Sequence, residues 1–368
     1  MMGRFAQRRA FLSALGSLAL SACATTRHRP AAARGIDGLS FLPDDLGDFR
    51  RAHLRGGIFD VSAGEDLTNA AGERHFIRTF EACDLAIDHA RARMEQAPGV
   101  TVVRTSSQLR DPGQVLALLQ FQAAEPIGAD LQRVAHFHAK GLRVLQITHN
   151  YDNPWGGGYL EPHPIGLTDI GIAGLSELNR LRIIPDVAHG SELTALEVAR
   201  RSRTPFIVSH SACRAIVDNP RCVSDEVIRA LADRGGVLGV FMMSMFLSRA
   251  AVPTPADFVA HMRHLVKTGG VEVAAIANDY AVTGLQEAVT KGNREAARKF
   301  DEWFATSNAR GVPGFEQPPM HAVIPEFNSS ERIPRIQRAL EQGGFRASEI
   351  DKILSGNWLR VFREVLPA

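Results

Sequence analysis

The sequence predicts an α/β fold, a (β/α)8 TIM barrel, from three observations. Short apolar segments alternate with helical segments along residues 115–277, which is typical of parallel strands covered on both faces. No second linker interrupts the chain after Gly35, and no strand is followed by a glycine-rich dinucleotide fingerprint. Many β/α units in one unbroken chain therefore favour a closed barrel over an open doubly wound sheet.

The predicted elements follow one another in strand–helix pairs. Apolar runs predict strands at 115–121, 142–148, 182–188, 205–209, 236–243 and 271–277. Helices are predicted within 128–141, 169–181, 191–202, 224–235 and 254–270. Ser191 is the predicted N-cap of the third helix, because a serine hydroxyl can accept a hydrogen bond from the first helical turn.

The first residues of the chain predict export rather than a folded element. They combine a basic start, a twin arginine, an apolar stretch and Leu-Ser-Ala before Cys23. The twin arginine resembles a Tat signal, and Leu-Ser-Ala-Cys resembles a bacterial lipoprotein box, so we expect a lipid anchor at Cys23 on the periplasmic face of a bacterial membrane. A plain secretory signal is the alternative. The predicted organisation is an export signal at 1–22, a tether at 23–34 and a barrel domain at 35–368.

Composition indicates an ordinary globular protein and argues against binding of nucleic acid. The 45% hydrophobic and 22% charged residues describe a globular chain with an ample core, and a formal net charge of +2 argues against nucleic acid as a partner. Beyond Cys23 the chain has Cys83, Cys213 and Cys222. An odd number of cysteines predicts no disulfide framework; a Cys213–Cys222 bridge stays open, and buried free thiols are the simpler expectation.

Polar side chains follow the predicted strands at the points where the apolar runs end. They are Gln122, His149, His189, His210 and Asp279. In a (β/α)8 barrel the carboxyl ends of the strands form one rim, where catalytic residues lie. The alternative, that each is a locally satisfied loop residue, explains one or two of these positions but not the whole set.

Long segments of the chain resemble the membrane (renal) dipeptidase family, the M19 peptidases. The matching segments run from about Ile36 to Val365 and include IDGLSFLPDD, LQITHNYDNPWGG, GLTDIGIAGLSELNRLRIIPDVAHGS, FIVSHSACRAIVDNPRCVSDEVI, HLVKTGGVEVAAIANDY and KILSGNWLRVFREVL. The resemblance implies a barrel of the metal-dependent hydrolase type, two zinc ions, small peptide substrates and a homodimer.

The resemblance also assigns roles to five residues. His189 and His210 match the histidines of the family's second metal, and imidazole suits zinc. His149 matches the residue that polarises the scissile carbonyl. Arg221 matches the arginine that holds the substrate carboxylate, for which a planar fork is suited. Asp279 matches the carboxylate that takes a proton from the attacking water and passes it to the leaving amine.

The chain departs from the family where the first metal is bound. Leu39 and Phe41 stand where the family has a histidine and an aspartate ligand, and Gln122 stands in place of the bridging glutamate. Hydrocarbon side chains coordinate nothing, and a neutral amide binds zinc weakly. We therefore expect at most one zinc ion, held by His189 and His210 with Gln122 as a weak ligand, and expect Leu39 and Phe41 to point into the barrel mouth.

Other residues are poor substitutes for the missing ligands. Glu125 follows Gln122 closely but is expected out in a loop, and Asp44 follows the first strand too distantly to place. The pair His136 and His138 imitates a His-x-His metal motif, but it falls within a predicted helix, where residues two apart point in different directions.

The function expected from this pattern is metal-dependent hydrolysis of dipeptides or similar small amides, impaired by the loss of the first metal site. The alternative is a catalytically inactive periplasmic lipoprotein that binds peptide or amino-acid carboxylates through Arg221 and His149. A purely structural role is the third hypothesis, and the retained His149, His210, Arg221 and Asp279 argue against it.

Overall fold

The computed structural model describes residues 34–68, 74–250, 252–284, 294–316 and 322–368. The predicted export signal, Cys23 and residues 24–33 of the tether lie outside these ranges. Within them, no helix has the length and apolar character that crossing a membrane requires.

Strands and helices alternate along the described chain. The strands are β1 Gly35–Phe41, β2 Leu54–Asp60, β3 Gly64–Thr68, β4 Arg74–Arg78, β5 Val100–Val102, β6 Val115–Phe121, β7 Leu142–Gln146, β8 Ile184–Asp186, β9 Ile207–Ser211, β10 Val237–Val240, β11 Ala274–Ile276 and β12 Tyr280–Ala281. The α-helices are α1 Asp48–Arg51, α2 Phe80–Gln96, α3 Gln132–Lys140, α4 Asp169–Leu181, α5 Glu192–Arg201, α6 Asp225–Asp233, α7 Ser244–Leu247, α8 Pro255–Gly269, α9 Arg294–Ala309, α10 Arg332–Gln342, α11 Ala347–Asp351 and α12 Asn357–Val365.

Parallel pairing of the strands in the main sheet confirms the predicted (β/α)8 barrel. Around the wall the order is β1, β2, β6, β7, β8, β9, β10, β11, and β12 pairs with β1. The residues between β11 and β12 complete the wall, since Ala277 N donates to Val240 O at 3.0 Å and Asp279 N donates to Leu39 O at 2.9 Å. If β11 and β12 are taken as one interrupted strand, the wall has eight positions.

Helix boundaries agree with the capping residues in the sequence. Ser191 Oγ accepts from Thr194 N at 3.0 Å, as predicted for the N-cap of α5. Thr168 and Ser224 cap α4 and α6 in the same way, through Gly171 N and Val227 N. The hairpin of β3 and β4, helix α2 and the C-terminal helices were not predicted from the residue pattern.

One end of the barrel is closed by apolar side chains. Each wall strand contributes buried residues to a cluster that also contains Trp358 and Phe362 of α12; the strand residues are Ile36, Ile58, Leu116, Leu118, Val144, Ile184, Ile207, Val237 and Ala275. Trp358 Nε1 donates to Ile276 O at 3.1 Å, which fixes the indole in this position. Because the amino-terminal end of the barrel is filled, the accessible polar site lies at the opposite rim.

Candidate functional site

The carboxyl ends of the strands surround a cleft of about 760 Å³. Four of the polar residues predicted for the rim line it: Gln122, His149, His189 and Asp279. Arg221, the predicted carboxylate anchor, lines it as well. His210 is fully buried directly beneath it, in contact with His189. The structure thus brings together every predicted site residue of the barrel.

Three imidazoles form the centre of the site. The rings of His149 and His189 stack with centroids 4.3 Å apart, and the centroids of His189 and His210 are 4.9 Å apart. The Nε2 atoms of His189 and His210 are separated by 2.8 Å. Two nitrogens on one tetrahedral zinc ion lie ~3.3 Å apart, since each Zn–N bond is ~2 Å long, so the two rings need to separate slightly to share an ion.

The opposite ring nitrogens fix the tautomers of both histidines. Ser209 Oγ donates to Asp186 Oδ2 at 2.5 Å, so the same hydroxyl accepts from His210 Nδ1 at 2.8 Å. Asn150 Oδ1 accepts from His189 Nδ1, also at 2.8 Å. With both Nδ1 atoms protonated, each Nε2 carries a lone pair, and the two lone pairs face each other.

Two lone pairs that face each other at this distance repel, and a cation that binds both nitrogens would relieve the repulsion. Burial, together with the charge of Arg221, lowers the pKa of His189 and His210 well below the usual range, so a proton is a poor candidate at neutral pH. The donor chemistry of the pair fits one zinc ion, because neutral imidazole is a common zinc ligand.

A complete metal cage is absent among the described residues. No group of three or more His, Cys, Asp or Glu side chains in these ranges is placed to hold an ion. The nearest carboxylate is that of Asp279, whose Oδ1 lies 3.6 Å from His210 Nε2. Gln122, the predicted weak ligand, is buried and lines the cleft. The described residues therefore offer two imidazole donors for one ion, at His189 and His210.

Phe41 and Leu39, which the resemblance places at the ligand positions of a first metal, differ in their exposure. Phe41 lines the cleft and is 39% exposed. Leu39 is fully buried and is not among the residues that line the cleft, which corrects the expectation that it points into the barrel mouth.

Asp279 projects into the site from a strained backbone. Its φ of 71° lies in the left-handed region, which costs energy for a residue other than glycine and recurs at functional sites. Burial raises the pKa of this carboxyl to about 7, against the opposing effect of Arg221 and with a further increase from Asp60. A carboxyl with a pKa near neutrality is suited to exchange protons.

Arg221 is a buried cation held at the side of the histidines. Its Nη1 donates to Ala188 O at 2.5 Å and its Nη2 to His210 O at 3.0 Å. The guanidinium lies 5.1 Å from the ring of Phe241 and 5.7 Å from that of Tyr159. Each Nη has a second N–H, so the guanidinium can bind a carboxylate in the cleft while its backbone contacts persist.

The residues that were considered as substitutes for the missing metal ligands lie away from the cleft. Asp44 is exposed, and neither it nor Glu125 lines the cleft. Glu125 lies in the loop after β6, as predicted, where it is half-buried and its Oε2 has no hydrogen-bond partner among the described residues. His136 and His138 lie in α3, where His136 Nε2 is 2.6 Å from Asp84 Oδ1.

Reasoning from the sequence missed several residues of the site. Asp60 ends β2 and follows an apolar run, so the rule that found His189 could have found it as well. Ser62, Arg78 and Tyr159 lie beyond strand ends or on the β3–β4 hairpin, and no pattern pointed to them. The three cysteines are buried free thiols, so the open Cys213–Cys222 bridge is not formed.

The chain matches a protein-family model and several known proteins. Residues 31–295 match the family model of "Membrane dipeptidase (Peptidase family M19)". Dipeptidase 3 of Rattus norvegicus is 25% identical over 291 residues, which cover 76% of this chain and 51% of the rat protein. The chain thus spans about half the length of the curated relatives it matches first.

Solved structures share the fold. An amidohydrolase from Pseudomonas aeruginosa superposes with a TM-score of 0.75 at 24% identity, covering 91% of this chain and 97% of that one. A metallo peptidase from Rhodobacter sphaeroides, liganded with a phosphinate mimic of the dipeptide L-Ala-D-Ala, superposes with a TM-score of 0.72 at 19% identity, covering 91% and 100%. At these identities the likeness shows the fold alone.

Proposed function

Because the chain belongs to the membrane dipeptidase family, peptidase family M19, we propose that it is a single-metal hydrolase of dipeptides or similar small amides, with activity reduced by the missing first metal site. The observation that carries this proposal is the pair of Nε2 lone pairs of His189 and His210, opposed at 2.8 Å. Such a pair is stabilised by a cation, and zinc is the ion that the family and two imidazoles both favour.

Each retained side chain has a task in amide hydrolysis. A zinc ion supplies Lewis acidity that lowers the pKa of water from ~16 towards ~7. Arg221 binds the substrate carboxylate and so fixes the amide over the histidines. His149, whose pKa burial and Arg78 hold well below the usual range, stays neutral and donates an N–H to the amide carbonyl.

Asp279 moves the proton in this scheme. In its ionised form it accepts a proton from the attacking water, and in its protonated form it returns that proton to the leaving amine nitrogen. The pKa of about 7 allows both states near neutral pH. The amide C–N bond breaks, the hydroxyl of water joins the acyl carbon, and the amine leaves with the proton.

The second candidate function is carboxylate binding without catalysis. It is favoured by the lack of a three-ligand donor group among the described residues and by Phe41 in the cleft. In that case Arg221 and His149 hold a peptide or amino acid, and no bond is broken.

A set of variants distinguishes the two functions. Purified protein with one equivalent of zinc is assayed for release of amino acids from a panel of dipeptides, beside His210→Ala, Asp279→Asn and Arg221→Gln. His163→Ala, at an exposed position, is the matched control. Slow hydrolysis that His210→Ala and Asp279→Asn abolish supports the enzyme. Dipeptide binding that Arg221→Gln abolishes, with no hydrolysis at any zinc concentration, supports the binding protein.

We also propose that the chain is exported and anchored to a bacterial membrane through lipid on Cys23, where it acts on small peptides in the periplasm. The lipoprotein-like residues before Cys23 support this location. Fractionation of cells that express the chain tests it: the protein should sediment with membranes, and Cys23→Ser should release it.

A further inference from the structure

The exposed aromatic side chains of the described residues all lie at one place. Phe41, Phe76, Tyr151 and Trp303 are between 39% and 54% exposed, and all four line the cleft above the histidines. Every other Phe, Tyr or Trp whose burial is described is less exposed than these. Exposed apolar groups gathered in one cleft indicate a site for an apolar ligand group.

Separate elements deliver these aromatic residues. Phe41 ends β1, Phe76 is on β4, Tyr151 is on the segment after β7, and Trp303 is on α9. Behind them the wall is also aromatic, since Phe315 lies 4.8 Å from Trp303 in an edge-on arrangement and is itself buried. We call Phe41, Phe76, Tyr151 and Trp303 the aromatic mouth.

Arg78 connects the aromatic mouth with the histidines. Its guanidinium lies 5.4 Å from the ring of Phe76, and its charge acts on His149 and His189. Nε donates to Ser62 Oγ at 3.0 Å, and Ser62 Oγ donates to Asp60 Oδ1 at 2.5 Å. Arg78 itself lines the cleft and is only 7% exposed.

The cleft thus has a polar floor and an apolar entrance. Arg221 offers donors for a carboxylate, His149 and Arg78 offer donors for an amide or acyl oxygen, and the aromatic mouth offers a surface for hydrocarbon. A small dipeptide meets the first two needs but leaves the aromatic mouth in water.

We propose that the preferred ligand is an N-acyl amino acid with a large apolar acyl group, whose carboxylate binds Arg221 and whose acyl chain lies against the aromatic mouth. The inference rests on the proposed function, because it uses the same Arg221 anchor. Hydrolysis adds water across the amide bond, so the acyl carbon takes the hydroxyl and the amino nitrogen takes the proton, giving a fatty or aromatic acid and an amino acid.

Tryptophan fluorescence gives a local measure of binding. The chain has three tryptophans; Trp155 and Trp358 are fully buried, whereas Trp303 is 42% exposed in the aromatic mouth. A ligand with a long acyl chain should therefore shift the emission of Trp303, and Trp303→Phe should remove that response while calorimetry still detects binding.

The test compares N-octanoyl-L-alanine, below its micelle concentration, with N-acetyl-L-alanine and L-alanyl-L-alanine. We expect the octanoyl ligand to bind at least about tenfold more tightly than the acetyl ligand, because it buries more apolar surface. The double variant Phe76→Ser with Trp303→Ser should reduce the octanoyl affinity to that of the acetyl ligand. Leu85→Ser, 73% exposed and away from the cleft, is the control and should change neither affinity.

Arg221→Gln separates a failure of this inference from a failure of the proposed function. Equal binding of the acetyl and octanoyl ligands that Arg221→Gln abolishes would overturn the acyl preference and leave the proposed site intact. Octanoyl binding unaffected by Arg221→Gln would overturn the inference as well, since the carboxylate would have no role. No binding of any of the three ligands would overturn both.

Discussion

His189 Nε2 and His210 Nε2 face each other at 2.8 Å, closer than the ~3.3 Å that separates two nitrogens on one tetrahedral zinc ion. A small rotation of either ring would make room for an ion. His210 lies in β9, and His189 lies in the turn that follows β8, the strand that pairs with β9 in parallel.

The first prediction is that the protein binds one zinc ion and no second. Purified protein dialysed against metal-free buffer and reloaded with excess zinc should retain about one ion per chain by elemental analysis, because two imidazoles converge while Phe41 offers no ligand. His210→Ala should retain none, and the exposed His163→Ala should behave as the natural protein does. Two retained ions per chain would mean that other side chains have taken over the first site.

The second prediction concerns the hydroxyl between Asp186 and His210. Ser209→Ala removes the acceptor that holds His210 Nδ1 protonated and Nε2 free, so zinc affinity should fall by about tenfold or more, as for other groups that orient metal ligands. Competition with a chromophoric chelator measures it. Ser176→Ala, exposed on α4, is the control. Unchanged affinity in Ser209→Ala would show that this hydroxyl does not set the tautomer.

The wall of the barrel and most of its rim were predictable from the sequence, because the strand sequences and their helix caps have local signals. A polar residue directly after a buried parallel strand must reach the rim, and this rule placed His149, His189 and Asp279 correctly. The rule says nothing of contacts between distant segments. The link from Asp186 through Ser209 is fixed by packing of β8 against β9, and Arg78 reaches the cleft only because the β3–β4 hairpin, which was not predicted, folds over it.

The third prediction concerns the pH dependence of stability in the metal-free protein. Burial raises the pKa of Asp279 from 3.8 to about 7, so the folded state binds this proton more tightly than the unfolded state does. The protonated carboxyl therefore makes its full contribution to the free energy of unfolding below pH 3.8. This contribution is lost as the pH rises through about 7.

Asp279→Asn should therefore raise the free energy of unfolding at pH 8 by about 1 to 3 kcal/mol and change it little at pH 4. Each pKa unit corresponds to about 1.4 kcal/mol, and water in the cleft screens part of the effect. Urea denaturation at both pH values measures it, with the exposed Asp301→Asn as control. A variant less stable than the natural protein at pH 8 would show that the ionised carboxylate is favourable in the fold.

The last prediction tests the missing carboxylate at position 122. Gln122 is buried and lines the cleft, and two histidines with one carboxylate form the ligand set of many catalytic zinc sites. Gln122→Glu should raise zinc affinity by about tenfold or more and increase dipeptide hydrolysis, whereas Gln122→Leu should do neither.

Phe41→Asp with Leu39→His should add a second ion only in the Gln122→Glu background, since that carboxylate must bridge the two metals. Because Leu39 is fully buried and does not line the cleft, a histidine introduced at position 39 should be the weaker of the two added ligands. Phe41→Asp with Gln122→Glu should therefore already bind part of a second equivalent of zinc. Vigorous hydrolysis by the natural protein, lost in His210→Ala and unchanged in Gln122→Glu, would mean that one ion on two histidines suffices and that the glutamine is no impairment.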